Sequence, residues 1–585
     1  SISFTLIGDE KNPFAVGSKV VLNYDNGKKA MLEHFPSRGF QSSVTHKLHF
    51  GVGNAEKVDS VFIFWPDNKT SLLKNLPTDK THVIDKAKTS TINIKIDELI
   101  NPKNKSLNPK NLIEFTHKEN KYIDFNKERL LIEMGSNEGP YIATTDLNND
   151  GKDDIFITGA KNQSSSLFIS ENNTFNKVIS PFDMSAKSED IEAHFFDSDN
   201  DGDQDLFVAS GGKAFSVYDQ LLHDRLYINN GSNNFEKNPN AFSFKKPFAT
   251  GAVAIGDFNN DGLQDIFWGE RFSNEAYGIP VSGHIFKNIG NNQFIEYEQQ
   301  SLKNLGLITD AKWEDLNKDG YLDLIIVGEW MPITILINNK GVFENKTEDY
   351  NLSKTRGLWK SIEILDLNCD GQMDFIASNI GKNTFYKPGM KLFVNDFDAN
   401  GTYEQLFCEK VGDKYFPLID KDELISQLPS LKKKLVYYND YAELSIEEIF
   451  DKNLLISAVE KELDLLETLI FINKKKRFIK QSVPEEINYS VVYDIELFSQ
   501  NNNCSSKILF GGNQKKVKPQ FGKYDASLGW LLETYTDGNS VRFKKPTNLN
   551  IKGDIRKWSV INYNKEKLIL VGLNDDKIKI FQSKK

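Results

Sequence analysis

A short acidic phrase recurs along this chain and limits what it can fold into. It reads Asp146-x-Asn148-x-Asp150-Gly151-x-x-Asp154, and it returns in register from Asp197, Asp257, Asp315 and Asp366. Oxygen side chains at positions 1, 3, 5 and 9 of a tight loop form a cage for a hard cation. The glycine at position 6 supplies the bend, and the backbone carbonyl at position 7 adds a ligand. Read this way, the ligand sets are Asp146, Asn148, Asp150, Lys152, Asp154; Asp197, Asp199, Asp201, Asp203, Asp205; Asp257, Asn259, Asp261, Leu263, Asp265; Asp315, Asn317, Asp319, Tyr321, Asp323; and Asp366, Asn368, Asp370, Gln372, Asp374. A looser copy at Asp396, Asp398, Asn400 and Glu404 has Asn and Glu where Asp is usual. Asp, Asn and Gly favour turns for backbone reasons alone. That accounts for one such loop but not for a repeated series.

An EF-hand opens the same way, but it needs a bidentate Glu at position 12 and flanking helices. Position 12 here is Ile157, Val208, Trp268, Ile326 and Ala377, none of which binds calcium. Short runs of Ile, Phe, Leu and Val follow each loop, and further apolar runs precede the loops. Each loop therefore joins two strands of a hairpin. Beyond the loops, Leu167-Phe-Ile, Leu226-Tyr-Ile, Ile285-Phe-Lys, Ile335-Leu-Ile and Leu469-Ile-Phe read as third strands leading to a fourth. Four strands at a period of roughly 50 residues are the sign of a propeller blade. The fold class is all-β, a seven-bladed β-propeller with eight blades as the alternative.

Residues 1–97 lack the repeat and alternate apolar and polar residues in short runs, as in a small β-sandwich-like domain. A polar, Pro-punctuated linker follows over 98–111, and blade-like sequence occupies 112–585. Asp420-x-x-Glu423 and Ser445-x-x-Glu448 open helical patterns, so 420–465 is a helical insertion expected outside the ring. Segment 494–504 keeps strand character without the ligands and is expected to hold no ion. The last strands should close the ring by pairing near residues 112–116.

The net charge of −10 is offset if five or six Ca²⁺ bind, adding about +10 to +12. No stretch approaches the roughly 18 apolar residues of a membrane span, and no basic footprint for nucleic acid is present. Cys369, Cys408 and Cys504 fit no zinc spacing and read as free, buried thiols. The start at Ser1, without Met or signal sequence, suggests a processed chain or part of a longer one.

The loops resemble the FG-GAP/VCBS repeats of integrin-α-like propellers, whose hairpins bind Ca²⁺. Gly17-Ser-Lys-Val, Gly39-Phe-Gln-Ser-Ser43, Leu48-His-Phe-Gly-Val-Gly53 and Val58 to Asp67 resemble an ASPIC/UnbV domain, in order. The 396–401 phrase, Gln427-Leu-Pro-Ser-Leu-Lys-Lys-Lys and Gly522-Lys-Tyr-Asp-Ala-Ser527 are similar to the C-terminal portion of such proteins. The resemblance implies an exported, often lipid-anchored protein of the Bacteroidota type, associated with the outer membrane, at the cell surface or extracellular, with the periplasm as alternative. Such proteins commonly carry another propeller upstream, and some are encoded near SusC/SusD-type outer-membrane transporters.

An enzyme must present an acid, base or nucleophile. His49 reads as structural, and His223-Asp224 reads as a satisfied pair before it reads as a proton relay. No nucleophile elbow, P-loop or HExxH is present, so the sequence reads as a non-enzymatic binding or scaffold module. Its partner is expected to be an outer-membrane protein complex or another protein, with a glycan as the second choice. A glycan-processing protein whose active part lies upstream is the alternative. Arg271, Trp330, Trp359, Asn383, Tyr524 and Arg556 are expected on the rim opposite the metal loops, as aromatics and Arg suited to recognition.

Overall fold

The computed structural model describes residues 1–583 apart from 26, 97–98, 100–106, 179–180, 232, 244–245 and 538–539. It divides into two units, residues 1–104 and 105–585. In the first, strands Lys47–Phe50, Ile2–Ile7 and Lys80–Asp85 form one sheet. Lys28–Glu33, Lys19–Tyr24, Lys57–Phe64, Thr70–Pro77 and Thr91–Ile92 form another. Alternating apolar residues of both sheets, among them Phe4, Leu48, Val20, Val61 and Ile63, share one core. His49 lies on an edge strand with Nδ1 2.8 Å from Ser3 Oγ, which is a structural role.

Among the described residues the second unit is a ring of seven antiparallel sheets of four strands each, with a short fifth strand in two of them, Gly357–Leu358 in blade four and Thr547–Asn548 in blade six. The first blade is Ile142–Thr145, Asp154–Ile157, Ser166–Glu171 and Thr174–Lys177. Blades two, three, four and six repeat the meander over 190–238, 249–296, 307–345 and 494–543. Both faces of an inner strand are buried between neighbouring blades, so these strands are nearly continuous runs of Val, Ile, Leu and Phe. Seven apolar clusters result, one at each blade interface. The last joins Ile561, Leu568 and Ile580 of blade seven to Ile142, Ile155 and Phe168 of blade one.

Closure differs in detail from the sequence reading. Blade seven is Asp554–Tyr563, Glu566–Asn574, Lys579–Ser583 and, as its outer strand, Leu107–Lys110. Leu107 pairs with Ser583 and Lys110 with Ile580. The closing strand thus lies in the stretch expected to be linker, while Thr116 makes only an isolated bridge to Lys577. An outermost strand has one free edge and tolerates the proline and polar residues of Leu-Asn-Pro-Lys.

The insertion is larger than its helices. It leaves blade five after Asp374–Ala377 and returns at Leu469–Asn473. It contains its own sheet, ordered Lys414–Pro417, Glu404–Val411, Lys391–Asn395 and Val459–Glu462. Its helices fall within Lys421–Gln427 to Lys452–Ser457, with Asp420 and Ser445 as N-caps. The second strand of a blade ends on the face opposite the acidic loops, so the insertion emerges there and covers it. Leu392, Phe407, Leu424 and Ile446 of the insertion share a core with Phe215, Phe272, Leu307, Trp330, Leu358 and Phe521 of the blades.

The cysteines also correct the sequence reading. Cys369 and Cys504 form a disulfide, and only Cys408 is free and buried among the described residues. Cys369 is the fourth residue of the blade-five loop, and Cys504 lies in the equivalent turn of blade six. The two are 135 residues apart in sequence, so the bond closes a long loop of the unfolded chain. Cys504→Ser is expected to cost about 2–5 kcal/mol, read as a lowered urea midpoint that reductant no longer changes. An unshifted midpoint would show that the bond braces nothing. Leu107→Ala, which removes buried surface from the closing strand, is expected to cost about 2–4 kcal/mol in the same assay.

Candidate metal centres

In each of the five loops the backbone is wound by the proposed ligands themselves. The position-1 carboxylate accepts from the backbone N–H of positions 5 and 6; Asp257 Oδ1 and Oδ2, for example, meet Asp261 N at 3.2 Å and Gly262 N at 2.8 Å. The position-3 oxygen accepts from position 5, and position 5 accepts from the N–H of position 7. Position 4 stands at positive φ in every loop, at Asn149, Asn200, Asn260, Lys318 and Cys369. Asn tolerates that region best. Position 6 is at φ between 75° and 94° in all five, which is why it is Gly.

Position 9 does the structural work. Asp154, Asp205, Asp265, Asp323 and Asp374 each begin the second strand and are almost wholly buried. One oxygen accepts from the N–H of position 2, at Leu147, Ser198, Phe258, Leu316 and Leu367. The other accepts from the end of the third strand, at Ser170, Asn229, Asn288, Asn338 and Asn473. One carboxylate thereby ties loop, second strand and third strand together. Burial, reinforced in most loops by the acidic neighbours at positions 1 and 5, pushes these carboxyls up to about 6 for Asp154, Asp205 and Asp323 and about 7 for Asp265 and Asp374.

The donor set fits a hard cation. One carboxylate oxygen from each of Asp197, Asp199 and Asp201 lies within 4.8 Å of the others. Two oxygens sharing one Ca²⁺ at about 2.4 Å stand at most about 4.8 Å apart. Each carboxylate oxygen keeps a lone pair beyond those used by the backbone N–H groups. Lysines approach position 5 in three loops, at Lys152–Asp150 (2.9 Å), Lys287–Asp261 (3.1 Å) and Lys474–Asp370 (3.2 Å). Asp396, Asp398 and Glu404 also converge within 4.8 Å and share the winding pattern, with Ala399 and Gly401 at positive φ. That loop joins two strands of the insertion sheet, so it is no blade loop. The blade-six turn at 501–505 is wound by Asn501, which accepts from Asn503 and Ser505.

Position 4 also reaches sideways. Asn200 Nδ2 donates to Gly262 O at 3.0 Å, Asn260 Nδ2 to Gly320 O at 2.8 Å and Lys318 Nζ to Gly371 O at 2.6 Å. Cys369 continues the series by its covalent bond to Cys504. A chain of clasps thus runs from blade two to blade six along the loop face. The sequence pattern does not announce it, because position 4 changes from Asn to Lys to Cys while making the same lateral tie.

The expected contact face is corrected. Arg271, Trp330, Trp359, Tyr524 and Arg556 are buried, and only Asn383 is exposed. Trp330, at φ 59°, donates Nε1 to Tyr277 OH and packs near Tyr386 and Phe407 of the insertion. Trp359 packs in the interface of blades four and five. Arg271 donates to Glu329, which also accepts from Lys360 and Tyr277. These residues hold the ring and its cover. Asp224 is buried, with its oxygens accepting from Ser210 N and Thr250 Oγ1.

Residues 8–91 match the ASPIC and UnbV family model, and residues 146–208, 197–268 and 315–377 match the FG-GAP-like repeat. The chain therefore carries an ASPIC/UnbV domain at its N-terminal end and FG-GAP-like repeats within its propeller. No curated protein matches significantly. Similar solved structures include the V. cholerae biofilm matrix protein Bap1, at 10% identity and TM-score 0.32, covering 82% of this chain and 91% of that one. YCF48 from Cyanidioschyzon merolae is 8% identical, with TM-score 0.36 and coverage of 77% and 97%. No helix among the described residues is long and apolar enough to cross a membrane.

Asp265→Ala strands the N–H groups of Phe258 and Asn288, and is expected to cost roughly 2–6 kcal/mol. Asp265→Asn, which keeps one oxygen acceptor, should cost less. Urea unfolding of both variants measures this, and a midpoint unmoved by the Ala variant would refute the tie.

Proposed function

We propose that this chain is a calcium-braced, non-enzymatic binding or scaffold module of an exported cell-surface protein, acting as an accessory subunit of an outer-membrane protein complex. The observation that carries the reading is the same loop, wound by oxygen side chains at positions 1, 3 and 5, built five times on one face of a closed ring. Asp, Asn and main-chain oxygens at positions 1, 3, 5, 7 and 9 would hold each ion. Ca²⁺ suits them better than Mg²⁺, which demands tighter octahedral geometry and keeps its waters. A bound ion would supply positive charge among these carboxylates and would stiffen the hairpin. Affinities of about 10⁻⁴–10⁻³ M, as in extracellular modules, are expected. The Cys369–Cys504 disulfide supports export, because such bonds persist in oxidising compartments.

The partner in this reading is another protein, with a glycan as the second choice. With the expected face buried, the contact surface passes to the cover. Val436, Tyr437 and Tyr438 are 55%, 69% and 54% exposed in succession, beside exposed Lys432 and Lys433. Consecutive exposed apolar residues are unusual without a function. Tyr438 is partly engaged by Lys421, which leaves Val436 and Tyr437 as the free positions.

Metal analysis of the purified chain should find at least four calcium ions, and chelation should lower the melting temperature and restore it on calcium return. Fewer than two ions per chain would sink the calcium reading. Val436→Ser with Tyr437→Ser should weaken capture of a native outer-membrane partner at least tenfold, with calcium content and melting temperature unchanged. Cleavage of a glycan or ester by the wild-type chain at an enzyme-like rate would overturn the scaffold reading.

A further inference from the structure

The first unit leaves large aromatic side chains in solvent. Phe40 is 90% exposed, Phe35 55% and Phe14 54%, and Val44 is 48% exposed. Single apolar residues scattered over a surface are ordinary, but three phenylalanines on two touching loops are not. Phe35, Phe40 and Val44 belong to the loop between strands Lys28–Glu33 and Lys47–Phe50. This loop is a hairpin of its own. Arg38 N donates to Ser42 O at 3.2 Å and Val44 N to Pro36 O at 2.8 Å, with Gly39 and Gln41 at φ 76° and 52° in the turn. Phe40 therefore stands at the tip. Phe14 joins from the stretch before Lys19–Tyr24, its ring stacked on His46 with centroids 4.2 Å apart. His46 Nδ1 in turn lies 3.2 Å from His34 Nε2.

The loop's own charge is positive. No Asp or Glu stands between Glu33 and Glu56, in a chain of net charge −10. Arg38 and Lys47 make no ion pair among the described residues. Arg38 donates Nε and Nη2 to the carbonyls of Phe35 and Glu33, each at 3.3 Å. Of the adjoining carboxylates, Glu33 pairs with Lys19 at 3.9 Å and Asp9 with Lys86 at 3.1 Å, while Glu10 has Lys11 next to it. A ring projecting from a narrow tip offers a folded partner little area, whereas a bilayer admits it without a matching pocket. Cations behind the tip then meet anionic headgroups. We propose that this loop docks the protein on a lipid bilayer, with Phe40 entering the interfacial layer and Arg38 and Lys47 at anionic headgroups. The hairpin's internal hydrogen bonds limit the unpaired backbone carried into that layer. One small apolar tip makes the contact weak and reversible. The proposal goes beyond the protein-partner reading and does not rest on it.

The test is flotation of the full calcium-loaded chain with phosphatidylcholine vesicles, alone or with about one quarter phosphatidylglycerol. The wild type should float with the anionic vesicles, less with the neutral ones, and detach as salt rises. Phe40→Asp should weaken binding at least about tenfold with an unchanged melting temperature, and Lys47→Gln should weaken it several-fold. Phe40→Trp should keep binding, and brominated lipid should quench its fluorescence beyond that of the wild type. That arm decides the matter should the Asp variant fail to fold. Equal flotation of wild type and Phe40→Asp, or no added quenching in Phe40→Trp, would overturn the proposal. A wild-type dimer that Phe40→Asp dissociates, with no flotation of the wild type, would assign the tip to a second copy of the chain instead.

Discussion

A single buried carboxylate, repeated in five blades, is what the rest of the ring depends on. The position-9 Asp caps the second strand, fixes the loop through position 2 and reaches the end of the third strand. An ionisable group almost free of solvent is tolerable only when both oxygens are occupied. The hairpin geometry is thereby set from inside each blade, and in the second blade the carboxylates at positions 1, 3 and 5, Asp197, Asp199 and Asp201, converge within 4.8 Å of one another. The residues that wind the loop are the same ones that carry its oxygen donors.

Around this repeated unit the ring is held by three further devices. Apolar clusters fill every blade interface, including the one between first and last blades. Loop-to-loop clasps run along the acidic-loop face and end in a covalent bond. The insertion covers the opposite face, where Glu329, Arg271, Lys360 and Tyr277 form a buried polar knot beneath it. Blade six lacks the acidic loop, and it is there that the disulfide replaces a side-chain clasp. The blade-six turn itself is wound by Asn501, which accepts from the N–H groups of Asn503 and Ser505.

The loops were legible because their chemistry is local. Asp, Asn and Gly at fixed positions dictate both the backbone winding and the oxygen cluster, whatever surrounds them. Strand order followed from the period, and the helix starts at Asp420 and Ser445 from their caps. The closing strand was hidden because Leu107-Asn-Pro-Lys has the composition of a linker and becomes a strand only against Lys579–Ser583. The looser loop at 396–404 looked like a blade loop because its local winding is the same. Its membership of the insertion sheet depends on pairing with Val459–Glu462, far along the chain.

The sequence by itself determined the repeated hairpin, its oxygen donors and the all-β class, since each rests on contacts within about ten residues. Tertiary structure alone decided which aromatics and arginines were surface. Arg271, Trp330, Trp359, Tyr524 and Arg556 have the composition of a recognition rim, yet the insertion and the neighbouring blades enclose them. It also decided that Cys369 meets Cys504, because only adjacent blades bring two turns so distant in sequence within bonding reach. Exposure and pairing of this kind are properties of the closed ring, and no local pattern encodes them.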